Sequence, residues 1–240
     1  MKNEDVEELI AKIKKDFNSL STTANDALTD DEIEKLSAID IKQIAENIRS
    51  ALDYIAVDII KSTKLQNIKK IYFPYGSSIQ KLESINKWMP ELKKINQNLY
   101  QSLIKYQDFN LPDSEKWIIQ LCNLSVKVKH NELERPARNE DGKTTKIANI
   151  FQVDGTSTVK IGNLTYYDEN GAMGNAKNIN ITPSTKTRDL KEKFDGTNIQ
   201  SSITFKSVSF LTSSGCDIIK ILNNSIHYLQ LIYQEIYSAM

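Results

Sequence analysis

The sequence predicts an α+β fold in which an α-helical bundle, formed by residues 1–135 and 212–240, carries a small antiparallel β insertion at residues 144–211. Three observations support this prediction. Apolar residues recur at steps of three and four along most of the first segment and again near the end, as in amphipathic helices. Between them the chain becomes rich in Thr, Ser, Asn and Gly and alternates polar with apolar residues, as strands do. The final apolar stripe also needs a partner, so the last helix should return to the bundle.

The first helices follow from spacing. An amphipathic helix runs from Val6 to Phe17 and fades at residues 19–23. Thr29 with Glu32 predicts a capping box for the next helix. The longest apolar seam, a stripe of apolar residues along one face of a helix, then follows. It consists of Ile41, Ile44, Ile48, Leu52, Ile55 and Ile59. Five turns of such spacing predict one long helix.

Residues 71–76 contain Pro and Gly, which end the helical pattern. Ser77 can cap a short helix after this break, and Pro90 suits the first residue of another helix. The seam of that second helix consists of Leu92, Ile95, Leu99, Leu103 and Tyr106. Ser114 then opens a further helix that reaches Val128.

Residues 144–211 predict four to six short strands. The turn signals are Asp154-Gly155, Asn170-Gly171 and Asp195-Gly196. Helix resumes near Ser214, with an apolar stripe of Ile218, Leu222, Ile226, Leu229, Tyr233 and Ile236. We expect this last helix to pack on the long helix that contains Arg49.

Composition narrows the class of protein. The chain has 240 residues, no net charge and two cysteines, and no stretch of about 20 apolar residues that could span a membrane. These features predict a cytoplasmic protein with reduced thiols. Residues 1–58 hold 14 acidic against 7 basic side chains, whereas residues 61–107 hold 9 basic against 2 acidic ones. This asymmetry fits either a nucleic-acid surface or two faces that attract each other within the fold.

Two segments carry candidate chemistry. Arg49 and Asp53 lie four residues apart on the long helix, where they can form an ion pair beside the apolar seam. Lys129 and His130 lie near the end of the later helix, where the helix dipole favours cations and His130 can titrate close to neutral pH. Each group also has a structural interpretation, as a packing ion pair and as a histidine bonded to a carbonyl. If the groups act together, Arg49, Asp53 and His130 should converge within about 6 Å.

These segments resemble a family of bacterial and phage proteins of uncertain role. Its members have Asn-φ-Arg-Ser-Ala-Leu-Asp-His/Tyr on one helix, then a Phe-Pro segment, then Lys-His-Arg/Asn-x-Leu closing a later helix. Here the matching residues are 47–54, 73–74 and 129–133, and the resemblance covers most of residues 40–240. The helical part is similar to the HEPN superfamily, many members of which are ribonucleases of toxin–antitoxin and antiviral systems. Their Arg, about one turn before the His, has no counterpart before His130.

The resemblance implies a HEPN-like binding protein of a phage-defence or toxin–antitoxin locus, with a protein partner. The alternative is a metal-independent ribonuclease in which His130 acts as acid and base and Arg49 or Lys129 stabilises the developing charge, so that RNA becomes a partner. A homodimer fits either function. No cofactor or metal is expected, because Cys122 and His130 are separated by about 12 Å of helix rise and the phosphate-loop and zinc-hydrolase motifs are absent.

Overall fold

The computed structural model describes residues 3–66, 68, 70–129, 133–147, 151–167, 173–195 and 199–240, with the backbone alone at 126–129 and 166. It confirms the α+β fold class. The chain divides into two compact units. The helical unit consists of Met1–Ser21, Ser37–Pro136 and Thr212–Met240, and the β unit consists of Thr22–Leu36 and Ala137–Leu211.

Helices dominate the chain. Those in the described residues are α1 (Glu4–Asp26), α2 (Ala38–Thr63), α3 (Ile79–Ile85), α4 (Met89–Ile95), α5 (Gln97–Lys105), α6 (Ile118–Lys129), α7 (Thr187–Lys193) and α8 (Ile218–Ala239). Short 3-10 turns at Asp108–Asn110 and Asp113–Glu115 precede α6. Among the described residues, no helix combines the length and apolar character needed to cross a membrane.

Helix α2 is the centre of the helical unit. Its predicted seam is buried at every position from Ile41 to Ile59, and Ser37 caps it by accepting a hydrogen bond from the Asp40 N–H. Lys64 ends it in the left-handed conformation, with φ of 54°. Helices α6 and α8 both pack against α2, and the α8 stripe from Ile218 to Ile236 is buried. The expected packing of the last helix on the Arg49 helix is therefore confirmed.

A buried aspartate fixes the start of α6. The Asp108 carboxylate accepts hydrogen bonds from the backbone N–H groups of Trp117, Ile118 and Ile119 at 2.8, 3.1 and 3.0 Å. These N–H groups have no partner within the helix, so the carboxylate satisfies them. The Trp117 side chain is fully buried and stacks on Tyr228 of α8, with ring centroids 5.8 Å apart.

The end of the first helix and the start of the second differ from the prediction. Helix α1 continues through residues 19–23 because Leu20 and Ala24 extend its buried stripe. Thr29 and Glu32 cap no helix, since helix is absent between α1 and Ala38. Arg138 instead binds this segment: its guanidinium donates to the carbonyls of Ala27, Asp30 and Ile33.

The middle helices also differ in detail. Ser78, not Ser77, caps α3 by accepting from the Lys81 N–H. The single helix predicted after Pro90 is divided at Asn96, whose Oδ1 accepts from the Leu99 N–H and starts α5. Ser114 lies in a 3-10 turn, and α6 starts four residues later.

The β unit consists of small antiparallel sheets. Its described strands are β1 (Ala137–Asp141), β2 (Thr144–Ile147), β3 (Phe151–Asp154), β4 (Val159–Tyr167), β5 (Met173–Ile181), β6 (Ser201–Thr204) and β7 (Ser207–Leu211). Strand β1 pairs with β7, β2 lies between β3 and β6, and β4 pairs with β5. Six of the described strands fall within residues 144–211, as the sequence predicts, and β1 is an additional strand before residue 144.

The β unit has its own core. Its buried residues are Ile147, Val153, Leu164, Ala176, Ile179, Ile181, Leu190, Phe194, Ile199, Ile203 and Phe205. The sequence did not predict α7, which contributes Leu190 to this core. The turn at Asp154-Gly155 is present. Asn170-Gly171 and Gly196 lie outside the described residues.

Candidate functional site

Arg49 occupies the margin of the α2 seam, and its guanidinium is already engaged. Nη1 contacts the Sγ atom of Cys122 on α6, and the guanidinium lies over the ring of Tyr75 at 5.2 Å from its centroid. Ile48 and Leu52 beside it are fully buried, which holds this face of α2 against its neighbours. The seam therefore presents Arg49 from a fixed backbone position.

At neutral pH, burial and neighbouring charges keep Arg49, Cys122 and Tyr75 each in a single protonation state. Burial alone lowers the pKa of Arg49, but Cys122, Asp53 and Tyr75 raise it, and the resulting pKa lies above its ordinary value. Burial raises the pKa of the Cys122 thiol to about 11, although Arg49 opposes this change. Burial likewise raises the pKa of Tyr75. Arg49 is thus a cation beside a protonated thiol and a protonated phenol.

Two hydrogen bonds hold the segment that contains Phe73 and Pro74, one at the N–H of Phe73 and one at the carbonyl of Pro74. Asp53 Oδ1 accepts a hydrogen bond of 2.8 Å from the Phe73 N–H, and Gln107 Nε2 donates one of 2.9 Å to the Pro74 carbonyl. Phe73 is buried at 2% exposure. Asp53 thus links the Arg49 helix to the segment that supplies Tyr75.

A cavity of about 1010 Å³ opens beside Arg49 within the helical unit. We call it the Arg49 cavity, and its lining includes Arg49, Lys70, Tyr72, Tyr75, Lys87 and Trp88. The walls come from α2, the segment after it, the connection between α3 and α4, and Ser125 of α6. Elements distant in sequence therefore meet at one concave surface, as is usual for ligand sites.

The Arg49 cavity is basic and aromatic. Arg49, Lys70 and Lys87 line it, and Glu91 is the one carboxylate among its described lining residues. Both lysines are exposed, so an incoming anion can reach them. Lysine and arginine side chains around a concave surface attract anionic ligands.

Trp88 adds an unsatisfied donor. It is 4% exposed, and its buried Nε1 has no hydrogen-bond partner in the part of the chain that the structure describes. Burying such a donor without a partner costs about 1–3 kcal/mol. Because this nitrogen is buried, a ligand in the Arg49 cavity does not reach it without a movement of the Trp88 side chain.

A second cavity, of about 670 Å³, lies between the ends of α1, α2 and α8. Its lining includes Glu4, Asp5, Asp58 and Lys61. The Asp58 carboxylate already accepts hydrogen bonds from Asn3 and from the hydroxyl of Tyr237. This cavity is therefore acidic, with Asp58 bonded within the protein, and it is a weaker candidate for a ligand site.

The residues singled out in the sequence are placed as follows. Arg49 and Asp53 lie on the same edge of α2 and contact the same neighbouring segment, through Tyr75 and Phe73. Lys129 is the last residue of α6, and its side chain is not described. His130 lies outside the described residues, so its convergence with Arg49 stays a prediction.

Sequence reasoning missed Cys122, Tyr75 and Trp88. Spacing alone suggests no place in a site for Tyr75 or Trp88, and it raises Cys122 only as a possible metal ligand. One signal pointed to Cys122: it lies two helical turns before Lys129, on the face that continues toward the Lys-His motif. Among the described residues, no group of three or more His, Cys, Asp or Glu side chains could hold a metal ion.

No protein-family model, curated protein or solved structure matches this chain. The geometry described above therefore carries the functional argument. It defines an α+β protein whose helical unit contains a basic, aromatic cavity around Arg49.

Proposed function

We propose that this chain is a HEPN-like binding protein that recognises an anionic ligand in the Arg49 cavity. It acts in the cytoplasm, in a phage-defence or toxin–antitoxin setting, as the motif resemblance implies. One observation carries the proposal: a half-buried arginine and two exposed lysines line a cavity of about 1010 Å³ whose described lining has a single carboxylate. Phosphate suits this arrangement, because arginine can donate two parallel N–H groups to it and the two lysines add positive charge.

The described side chains favour binding over proton transfer. Tyr75 and Cys122 both have raised pKa values, so neither gives up its proton near neutral pH. Arg49 keeps its charge throughout. It uses only some of its five N–H donors on Cys122, which leaves donors for a ligand.

The proposal includes a protein partner, with the β unit as its contact surface. Tyr167 and Met173 occupy one paired position of the β4–β5 ribbon, and both are more than half exposed. Exposed apolar side chains of this kind are common in protein interfaces. A second copy of this chain is the simplest such partner.

A metal-independent ribonuclease is the second candidate. One observation favours it: Ser125 of α6 lines the Arg49 cavity, and Lys129 lies one helical turn further along the same helix. His130 follows Lys129 directly in the sequence. In this mechanism His130 transfers the proton and Arg49 or Lys129 stabilises the charge on phosphorus.

Anion binding is tested by thermal unfolding with inorganic pyrophosphate. At a concentration ten times the dissociation constant, we expect a stabilisation of about 1.4 kcal/mol, which raises the melting temperature by about 3–5 °C. The double variant Lys70→Ala/Lys87→Ala should lose most of this rise. Lys14→Ala/Lys15→Ala on α1 removes the same charge from exposed positions outside the cavity and should keep it. If both double variants lose the rise in melting temperature equally, pyrophosphate binds no defined site.

The ribonuclease candidate is tested by a cleavage assay with end-labelled single-stranded RNA in EDTA. The binding proposal predicts that the RNA stays intact with the wild-type protein and with His130→Ala. Cleavage by the wild type that His130→Ala abolishes, with an unchanged melting temperature, would establish the ribonuclease instead. Cleavage that survives His130→Ala would exclude the named catalyst and also contradict our ranking.

A further inference from the structure

We infer that the partner of the β unit is a second copy of this chain, and that the two copies join by antiparallel pairing of their β4 strands. This inference rests on the proposed function, because it names the partner and the contact that the β unit makes. It follows from the free edge of the β4–β5 ribbon, whose length and charges differ from those of the other strand edges.

Strand β4 has an edge without a partner. It forms a two-stranded sheet with β5, so one side of its nine residues pairs with no other strand among the described residues. Gly162 lies near the middle of β4, and a side chain there would have no described neighbour within 4 Å. The backbone of β4 is therefore open to a further strand, and free strand edges pair readily with other chains.

The other free edges of the β unit are protected against such pairing. Strands β3, β6 and β7 have only four or five residues each, and β1 has three charged side chains in five residues. Lys177 lies at the centre of β5, next to Asn178, whose φ of 53° interrupts the extended backbone. Short length, charge and local distortion are the means by which proteins block strand edges. Strand β4 is longer and carries a single charge, Lys160, near its start.

A two-fold axis through Asn163 pairs β4 with its copy over all nine residues. Lys160 then lies opposite residue 166, which is uncharged, so charges of like sign do not face each other. The corresponding pairing of two β5 strands would place Lys177 opposite Lys177 of the second copy, and like charges in that position are destabilising. The β4 edge is therefore the self-complementary one, and the dimer closes with β5 on each outer side.

The same register gives Tyr167 a contact. Tyr167 is 62% exposed, and it comes to lie directly opposite Val159 of the second copy, on the same face of the joined sheet. Val159 is partly buried and packs against the core of the β unit. An aromatic ring opposite a β-branched side chain is a favourable cross-strand pair, and the axis forms this pair twice. The dimer thus covers an apolar ring that the single chain leaves exposed.

Sedimentation equilibrium of the full-length protein over a range of concentrations tests the inference. The wild type should form a species of twice the 27.3 kDa mass of one chain. Asn163→Lys and Asn163→Asp each place two like charges across the axis, and each variant alone should dimerise about tenfold more weakly. Their equimolar mixture should recover the dimer, because opposite charges then face each other at the axis.

Asn180→Lys is the matched control for charge within the ribbon. Asn180 lies opposite Lys160 just as Asn163 lies opposite Lys177, so the variant brings the same repulsion between β4 and β5 without changing the free edge of β4. It should dimerise like the wild type.

A second pair of variants tests the apolar contact. Tyr167→Ser should weaken the dimer about tenfold, because it removes both aromatic pairs. Met173→Ser changes the paired position on β5, where the side chain is similarly exposed at 58%, and should leave the dimer unchanged. Equal weakening by both variants would contradict pairing through β4.

The outcomes separate this inference from the proposed function. A wild type that is monomeric at every concentration, or a dimer that neither Asn163 variant weakens, would overturn the β4 contact. A mixture of Asn163→Lys and Asn163→Asp that stays monomeric would also overturn it. These results would leave pyrophosphate binding in the Arg49 cavity intact. A dimeric wild type that does not bind pyrophosphate would instead overturn the anionic ligand of the proposed function and leave the β4 contact standing.

Discussion

Replacing Asp108 with alanine is expected to lower the free energy of unfolding by about 3 kcal/mol. The reason is that one buried carboxylate satisfies the N–H groups of Trp117, Ile118 and Ile119, and alanine removes this acceptor from all of them, with Trp117 and Ile118 at buried positions. Since α6 carries Cys122, the loss should also loosen the contact that anchors Arg49. Urea unfolding followed by circular dichroism measures the change.

Asp113→Ala is the control for Asp108. Asp113 lies five residues later, and its side chain is 94% exposed in a surface ion pair with Lys116. Its removal should change stability by less than about 0.5 kcal/mol. Asp108→Asn retains one oxygen acceptor and should cost less than Asp108→Ala. If the two alanine variants unfold at the same urea concentration, the carboxylate does not hold the start of α6.

Deleting residues 214–240 is expected to abolish cooperative unfolding and to cause aggregation. The deletion removes α8, whose stripe from Ile218 to Ile236 covers α2 and also packs on α5 and α6. Each large apolar side chain in that stripe contributes about 1.5–3 kcal/mol by burial, so the total exceeds the 5–15 kcal/mol by which domains are stable. Light scattering and a thermal melt measure the result.

A point variant tests the same packing in the full-length chain. Leu229→Asp places a charge at a fully buried position of α8 and should unfold the helical unit. Asn223→Asp adds the same side chain on the exposed face of the same helix and should melt like the wild type. A cooperative melt of either the deletion or Leu229→Asp near the wild-type temperature would contradict the packing of α8 on α2.

Local spacing was sufficient for the long helices. The seams of α2 and α8 are continuous over many turns, so the period of the apolar residues alone identifies them and their partnership. The break between α4 and α5 was not predictable in this way, because the apolar spacing continues across Asn96 while its side chain starts a new helix. Single polar side chains thus decide where helices are divided.

Long-range contacts explain the wrong predictions in the β unit. Thr29 and Glu32 have the residue types of a capping box, but Arg138 binds the carbonyls around them from more than 100 residues away. Helix α7 is only seven residues long, and its start is held in part by a distant residue, Asp31, which accepts from the Thr187 N–H. Neither contact leaves a periodic signal in the sequence.

The candidate site was predictable only in part. The spacing of Arg49 and Asp53 placed both on the edge of a seam, and the structure shows Asp53 bonded to the Phe73 N–H. Cys122 and Trp88 could not be assigned, because their roles depend on which turn of α6 faces Arg49 and on how the connection before α4 folds over the cavity. Tertiary packing, and not local sequence, determines both.

The most direct test of the Arg49 cavity uses the two tryptophans of the chain as reporters. Trp88 lines the cavity, whereas Trp117 is buried against Tyr228 and is not part of the lining. In Trp117→Phe, where Trp88 is the remaining tryptophan, titration with pyrophosphate should give a saturable change in emission. In Trp88→Phe, the emission of Trp117 should stay constant over the same titration. Two results would contradict binding in the Arg49 cavity and place the ligand elsewhere. One is a saturable change in the emission of Trp117. The other is constant emission in both variants while pyrophosphate raises the melting temperature of the wild type.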